Sequence, residues 1–366
     1  MKKNLLAIVA IALASLPAFA QEWGEPTPAD TLHSTIVLPG NRVIFQLYAP
    51  DAQSVEVMGD LPYDAEIKFV KQPNGVWKGE LAKIGDGVFR YRYLVDGVAV
   101  VDPQSTEGQD TAALLKVDSS GDSFFAMKNV PHGAVAQRWY WSETLNCWRR
   151  MHVWTPAGYE ASNEHLPVLY LIHGGGDVDN SWPTVGAANW ILDNLLAEGK
   201  MVPMIVVMPN GTIREVENEV APFAEDMAKS IIPFVESNYR VLKGKDNRAV
   251  AGLSMGGMET LEVVFNNPGM FGYAWVLSSS FMPGEDPFAE AMRLEVPSKV
   301  DQVNKTVKNF MFTQGGEEDI AYYNGIDTRK VLSEMGLKFG YMDVPGGHSW
   351  VAWRQNLYDL APTLFK

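Results

Sequence analysis

The sequence predicts a two-part chain: a small all-β sandwich followed by an α/β domain built on a mainly parallel sheet flanked by helices. Three observations carry this. Short alternating apolar–polar runs, punctuated by Gly, Pro and Asn, occupy residues 35–117. Beyond residue 149, short and continuously apolar runs alternate with stretches of helical period. One of those runs passes through Gly252-Leu253-Ser254-Met255-Gly256 into a helix-compatible segment, the pattern of a strand that turns sharply at an exposed serine.

Residues 1–20 stand apart. Lys2 and Lys3 precede an apolar core from Leu5 to Leu16, and Ala18-Phe19-Ala20 forms a small-x-small cleavage site before Gln21. The apolar run is too short to cross a bilayer comfortably, and no cysteine follows it to carry a lipid. The expectation is a cleaved export signal and a periplasmic or extracellular protein with no membrane span. The remaining length suits about two domains. A formal charge of −14 disfavours nucleic acid and highly anionic polymers, and suits neutral or weakly charged substrates. Cys147 is the single cysteine and cannot form an internal disulfide. Lying between Asn146 and Trp148 in a strand-like run, it reads as a packed thiol rather than a nucleophile.

The sandwich is assigned to residues 21–127. Strand patterns run through Arg42–Tyr48 and 54–58, bounded by Pro50 and Gly59. Asn74-Gly75 is a turn signal ahead of Val76–Leu81, and residues 88–95 alternate before turning at Asp96-Gly97. The order Val57-Met58-Gly59-Asp60, Gly75-Val76-Trp77, Tyr91-Arg92-Tyr93 with Val95-Asp96-Gly97, then Asp102-Pro103 resembles the immunoglobulin-like early-set domain of glycogen-branching enzymes, grouped with the family 48 carbohydrate-binding modules. That resemblance implies stacking of sugar on an aromatic ring, for which Trp77 is the candidate; packing of the same ring in the sandwich core is the alternative reading.

From residue 118 to 136 the pattern loosens, and the boundary is placed so that the second domain covers 128–366. His132, beside Pro131 and Gly133, reads as a turn residue. A strand is expected over 149–156, and a doubly buried one at Val168–Ile172. A helix over 187–199 precedes a buried strand at 204–208. Residues 221–237 are helical in pattern, with Pro233 as a kink or break. The serine-bearing strand at 249–252 follows. Its helix continues through 261–265 and is stopped by Asn267-Pro268-Gly269. Strands are expected at 275–278 and 309–313, and a helix over 327–335.

The chemistry follows from what a serine hydroxyl lacks. Ser254 needs a base to take its proton and a third group to orient that base. His348, in Gly346-Gly347-His348-Ser349-Trp350, is the one histidine downstream of Ser254. The acid comes from Glu317-Glu318-Asp319, after the strand at 309–313; Asp319 is preferred, with Glu318 and Glu317 as alternatives and Asp343 as a weaker one. An oxyanion would be held by the backbone N–H of Met255 and of a residue in Gly174-Gly175-Gly176; Gly175 is the choice and Gly174 the next. His173 reads as a structural hydrogen-bonder. Trp182, Phe281 and Trp350 lie near these loops in sequence and either line a substrate pocket or pack. The scheme needs no cofactor, and no Cys/His cluster has zinc-ligand spacing, so none and no metal are expected.

Taken together, His173-Gly174-Gly175-Gly176, residues 204–211, the Gly252 to Gly257 elbow, Gly316-x-x-Asp319 and Gly347-His348-Ser349-Trp350 resemble the esterase D branch of α/β-hydrolases, which includes feruloyl, acetylxylan and enterochelin esterases. The resemblance implies an α/β-hydrolase domain with Ser254 as nucleophile, His348 as base and Asp319 as acid. The Glu-Glu before Asp319 departs from the pattern and leaves the acid partly open. With a β-sandwich in front, the chain resembles secreted feruloyl or xylan esterases (carbohydrate esterase family 1). The expected substrate is acylated plant polysaccharide or its oligosaccharides. The rivals are an acetylxylan esterase, an enterochelin esterase, whose anionic ferric ligand fits an acidic chain poorly, and a glycan-binding protein with an inactive hydrolase domain. Oligomeric state is not legible.

Overall fold

The computed structural model describes residues 25–62, 65–214, 220–280 and 287–366, with the backbone alone for 287–295. The expected signal at 1–20 and Phe281 lie outside the described residues.

Among the described residues nine strands form the sandwich: β1 Thr35–Leu38, β2 Arg42–Tyr48, β3 Val55–Gly59, β4 Val70–Lys71, β5 Val76–Leu81, β6 Gly87–Val95, β7 Val98–Val100, β8 Gly108–Gln109 and β9 Ala112–Val117. One sheet runs β1-β2-β5-β4; the facing one runs β3-β6-β9-β8, with β7 on β6. Period-2 alternation turns Val43, Phe45 and Leu47 of β2 and Tyr91 and Tyr93 of β6 into the space between them. Trp77 belongs to this core: it is buried, and its indole N–H donates to the Ala49 carbonyl at 3.0 Å. Of the two readings open for this ring, packing is the one observed.

Among the described residues the second domain is built on an eight-stranded sheet in the order β10-β11-β13-β12-β14-β15-β16-β17. Its strands are β10 Ala134–Ser142, β11 Cys147–Thr155, β12 Val168–Ile172, β13 Ile205–Pro209, β14 Arg248–Leu253, β15 Tyr273–Leu277, β16 Asn309–Gln314 and β17 Gly340–Asp343. From β13 to β17 all neighbours are parallel; β10 and β11 are antiparallel. The central strands β12, β13, β14 and β15 are buried almost throughout, because helices cover both faces. The helices are α1 Ala188–Ala197, α2 Val220–Asp226, α3 Ile232–Asn238, α4 Met255–Asn266, α5 Pro287–Thr306, α6 Tyr322–Glu334 and α7 Trp350–Leu360. One apolar cluster joins the sheet to residues of α2 to α6, the other to α1 and α7. Among the described residues no helix is long and apolar enough to cross a membrane.

Three departures from the sequence reading have physical causes. β10 begins at the end of the stretch that looked loose and runs on to Ser142, through residues the sequence reading assigned to no element. It is an edge strand whose outer face carries Trp139 and Trp141, both exposed, so its apolar content does not mark burial. Cys147 opens β11 opposite Ser142 and is half-buried rather than packed away. The break before Pro233 is a π-helical turn, Met227–Ile231, between α2 and α3. Proline lacks the N–H and its ring crowds the carbonyl four residues back, so the ladder widens there. The sequence reading also lacks α5, whose interior Pro297 and polar composition mask Val296, Val300 and Val303, and α7.

The sandwich sits against the α1/α7 face. Val88 and Leu114 join the apolar cluster there. The buried Arg354 of α7 donates to the Val88 carbonyl at 3.3 Å and to the Val185 carbonyl at 2.8 Å. Burial lowers its guanidinium to about 10. Asn194 of α1 holds the carbonyls of Phe124 and Ala126. His132 ties the linking segment to Asp193 at 2.9 Å, consistent with a structural turn.

Candidate active site

Strand β14 stands between β12 and β15, and its last residues run into Ser254. There the backbone takes φ 51° and ψ −118°, a region that L-residues avoid and that persists only when its surroundings impose it. The surroundings are tight. A methyl group at Gly252 would overlap the Gly256 carbonyl, and one at Gly256 would overlap the carbonyl of His173. The Ser254 carbonyl accepts the N–H groups of Gly257 and Met258 and the Ser279 hydroxyl, while its own N–H donates to Leu277. This network fixes the corner from which the Ser254 side chain projects.

Two distant loops meet that side chain. His348 Nε2 lies 3.0 Å from Ser254 Oγ, and its Nδ1 lies 2.7 Å from Asp319 Oδ1. The His348 loop is held by the N–H of Gly347 on the Gly315 carbonyl, 2.9 Å, and by Gly346 and Gly347 at positive φ. Ser349 then caps α7 by accepting from Val351 N–H. Asp319 follows β16 and is buried, whereas Glu317 and Glu318 are exposed and Asp343, at the end of β17, is exposed too. Burial alone would raise the Asp319 carboxyl. Hydrogen bonds from His348 and from the N–H groups of Ala321 and Gly315 outweigh it and hold it at about 2. A hydroxyl, an imidazole and an ionised carboxylate joined in this order can draw a proton from the hydroxyl and stabilise the ring that receives it.

The N–H of Met255, first residue of α4, has no partner four residues back within the helix and faces the region where the helix dipole favours negative charge. Gly175 is its neighbour across the serine: a methyl at Gly175 would sit 3.9 Å from Met255 Cβ, in ordinary contact. Gly174 packs instead against Leu253 and Ser254. His173 is buried, donates from Nδ1 to the Gly174 carbonyl at 2.9 Å and accepts from Gly211 N–H at 3.0 Å. It is a brace for the glycine loop.

The pocket residues divide. Trp182 does not line a pocket. It is 1% exposed, gives its indole N–H to the Ile172 carbonyl and packs edge-on against Trp350. Its indole N–H is satisfied by the buried end of β12 and its ring belongs to the apolar core. Truncating it is therefore expected to act on stability: Trp182→Ala should cost about 3–5 kcal/mol, read as a lowered urea midpoint. Trp350, by contrast, lines a cavity of about 520 Å³ that reaches His348. The sequence reading missed the other walls: Trp353, whose ring meets His348 edge-on at 5.2 Å, and Leu61 and Phe89 of the sandwich. The three-residue spacing of Trp350 and Trp353 after a serine cap is the signal that would have disclosed α7. Among the described residues no group of three or more His, Cys, Asp or Glu is placed to hold a metal ion.

Comparison with known proteins places this geometry. The family model described as "Putative esterase" matches residues 142–364. The chain belongs to the esterase family of α/β-hydrolases. Carbohydrate-binding module 48 (isoamylase N-terminal domain) matches residues 32–111, so a family 48 module precedes the esterase domain. An endo-1,4-beta-xylanase/feruloyl esterase of Xylanibacter ruminicola is 33% identical over 88% of this chain and 44% of its own length. Endo-1,4-beta-xylanase Y of Acetivibrio thermocellus is 28% identical over 60% of this chain and 22% of its own. The esterase thus spans less than half the length of either curated relative. Among solved structures, the family 1 ferulic acid esterase of Anaeromyces mucronatus in complex with ferulic acid shares the fold at 23% identity, TM-score 0.58, over 65% of this chain and 93% of that one. The enterobactin esterase of Shigella flexneri shares it at 18% identity, TM-score 0.62, over 94% of this chain and 99% of that one.

Proposed function

We propose that this esterase removes hydroxycinnamoyl groups, feruloyl foremost, from plant xylan or its oligosaccharides through a serine acyl-enzyme. The observation that carries the mechanism is the hydrogen-bonded sequence Asp319–His348–Ser254 at the elbow. Ser254 Oγ attacks the ester carbonyl as His348 Nε2 takes its proton. The oxyanion is received by the N–H groups of Met255 and Gly175. Collapse breaks the bond to the sugar oxygen, which leaves with the proton from His348. A water molecule then repeats the sequence and releases the free acid and Ser254. Asp319 remains ionised throughout and orients the imidazole.

The feruloyl preference draws support from the relative named as a xylanase/feruloyl esterase. It draws further support from a cavity beside His348 whose walls are partly aromatic, a surface suited to an aryl acid or a sugar. The leader-like residues 1–20 put the activity in the periplasm or outside the cell in the same proposal. The test is an ester panel on the full chain. Methyl ferulate is expected to be hydrolysed faster than acetylated xylan. Rapid deacetylation beside inert methyl ferulate would replace the feruloyl preference with an acetylxylan one, and no turnover of any ester would leave a glycan-binding role.

A further inference from the structure

We infer that Arg90, a residue of the β-sandwich, is a positioning residue for ester hydrolysis: through Asp177 it holds the turn that presents Gly175 to Ser254. The inference rests on the serine-esterase reading above.

The turn is compact. Asp177 N–H closes it on the Gly174 carbonyl at 3.1 Å, and Gly176 sits at its third position with φ +80°, as a type II turn requires. Gly175 is the second residue, next to Met255. The near end of the turn is fixed to the elbow, since β12 pairs with β14 up to Ile172 opposite Gly252 and His173 braces the Gly174 carbonyl; its far end, beyond Gly175, is held through Asp177. The grip comes from the other domain. Arg90 of β6 makes an ion pair from Nη1 to the Asp177 carboxylate, which is only 6% exposed. The Arg90 guanidinium is itself oriented by Asp60, with Nε to Oδ2 at 2.7 Å and Nη2 to Oδ1 at 3.2 Å. Burial raises the Asp177 carboxyl and the Arg90 charge opposes that rise.

The rest of the loop is held from the same side. Gln109 of β8 bonds the Ser181 hydroxyl, which also accepts from Val178 N–H. Asp110 takes the Asn180 amide and Arg150 at 3.0 Å each, and Arg150 with His152 brackets Asp179. A loop of the esterase domain is thus pinned at three points by the sandwich. Among the described residues of the sandwich, Arg90 is the one that reaches Asp177, whose carbonyl also accepts the Thr212 hydroxyl at 3.4 Å.

The experiment is steady-state hydrolysis of methyl ferulate by the full chain carrying Arg90→Ala, Arg90→Lys, Asp177→Asn, or Arg90→Ala with Asp177→Asn. Arg90 also lines the cavity beside His348, so the decisive reading is kcat: Arg90→Ala is expected to lower it by about 10- to 100-fold, since a displaced oxyanion donor weakens the transition state. Arg90→Lys should recover part of the loss. The double variant should be no worse than the single ones, because both remove one interaction. Labelling of Ser254 by a serine-directed phosphonate should slow in proportion. The inference is overturned if Arg90→Ala keeps kcat within twofold of wild type, if the loss lies in KM alone, or if the two substitutions multiply. Should Arg90→Ala not fold, Arg90→Lys and Asp177→Asn carry the same test. A wild-type chain that neither hydrolyses an ester nor takes the phosphonate overturns the esterase reading itself, and this inference with it.

Discussion

Replacing Ser254 with alanine is expected to lower kcat on methyl ferulate by about 10⁴- to 10⁶-fold while leaving the fold in place. The hydroxyl is the group that forms the acyl bond, and nothing in the site substitutes for it. The network that holds the corner uses the Ser254 backbone, whose carbonyl accepts Gly257 N–H, Met258 N–H and the Ser279 hydroxyl. The side chain's hydrogen-bond partner is His348. An alanine therefore keeps the backbone geometry and loses only the chemistry. Kinetics, a urea melt and phosphonate labelling on the same preparation separate the outcomes. A lost activity with an unchanged melt and no label fits the assigned role; near-wild-type turnover would move the nucleophile elsewhere.

Asp319→Asn should cost about 10⁴-fold in kcat, because an amide no longer favours the tautomer that leaves His348 Nε2 free to accept the serine proton. The same substitution has a stability signature with a definite sign. The folded carboxyl titrates at about 2 against 3.8 for the free group. A depressed folded value means the ionised form is bound more tightly in the native state. Its contribution, on the order of 2 kcal/mol, is fully present above pH 4 and is lost as the pH falls from about 4 towards 2. Wild type should therefore exceed the variant in urea midpoint at neutral pH, and the difference should shrink in that acid window. A difference that stayed constant between pH 7 and pH 2.5 would assign the Asp319 contribution to packing instead of charge.

These expectations recast the family 48 module. Its candidate sugar-stacking ring, Trp77, is occupied in the sandwich core. What the module offers the neighbouring domain is Leu61 and Phe89 as cavity walls, and Arg90, Gln109 and Asp110 as holds on the glycine-bearing loop. The cavity beside His348 is lined from both domains, which no reading of either domain alone would disclose.

Local chemistry is what the amino-acid order alone determined. A continuously apolar run such as Val168–Ile172 can only be buried on both faces, and it is a central strand. Gly252 and Gly256 leave room that any side chain would fill, so the corner at Ser254 was readable from the string. Asp319, Glu318 and Glu317 are chemically near-equivalent in sequence, and the fold alone separates them, by burying one against His348 and leaving two in water. Trp182 and Trp350 looked alike beside site loops; packing put one in the apolar core and the other on the cavity. The grip of Arg90 on Asp177 joins residues 87 positions apart. Short-range periodicity encodes which face of an element is apolar. Which charged or aromatic group finds a partner depends on contacts between elements far apart in the chain, and these exist only once the domains have packed.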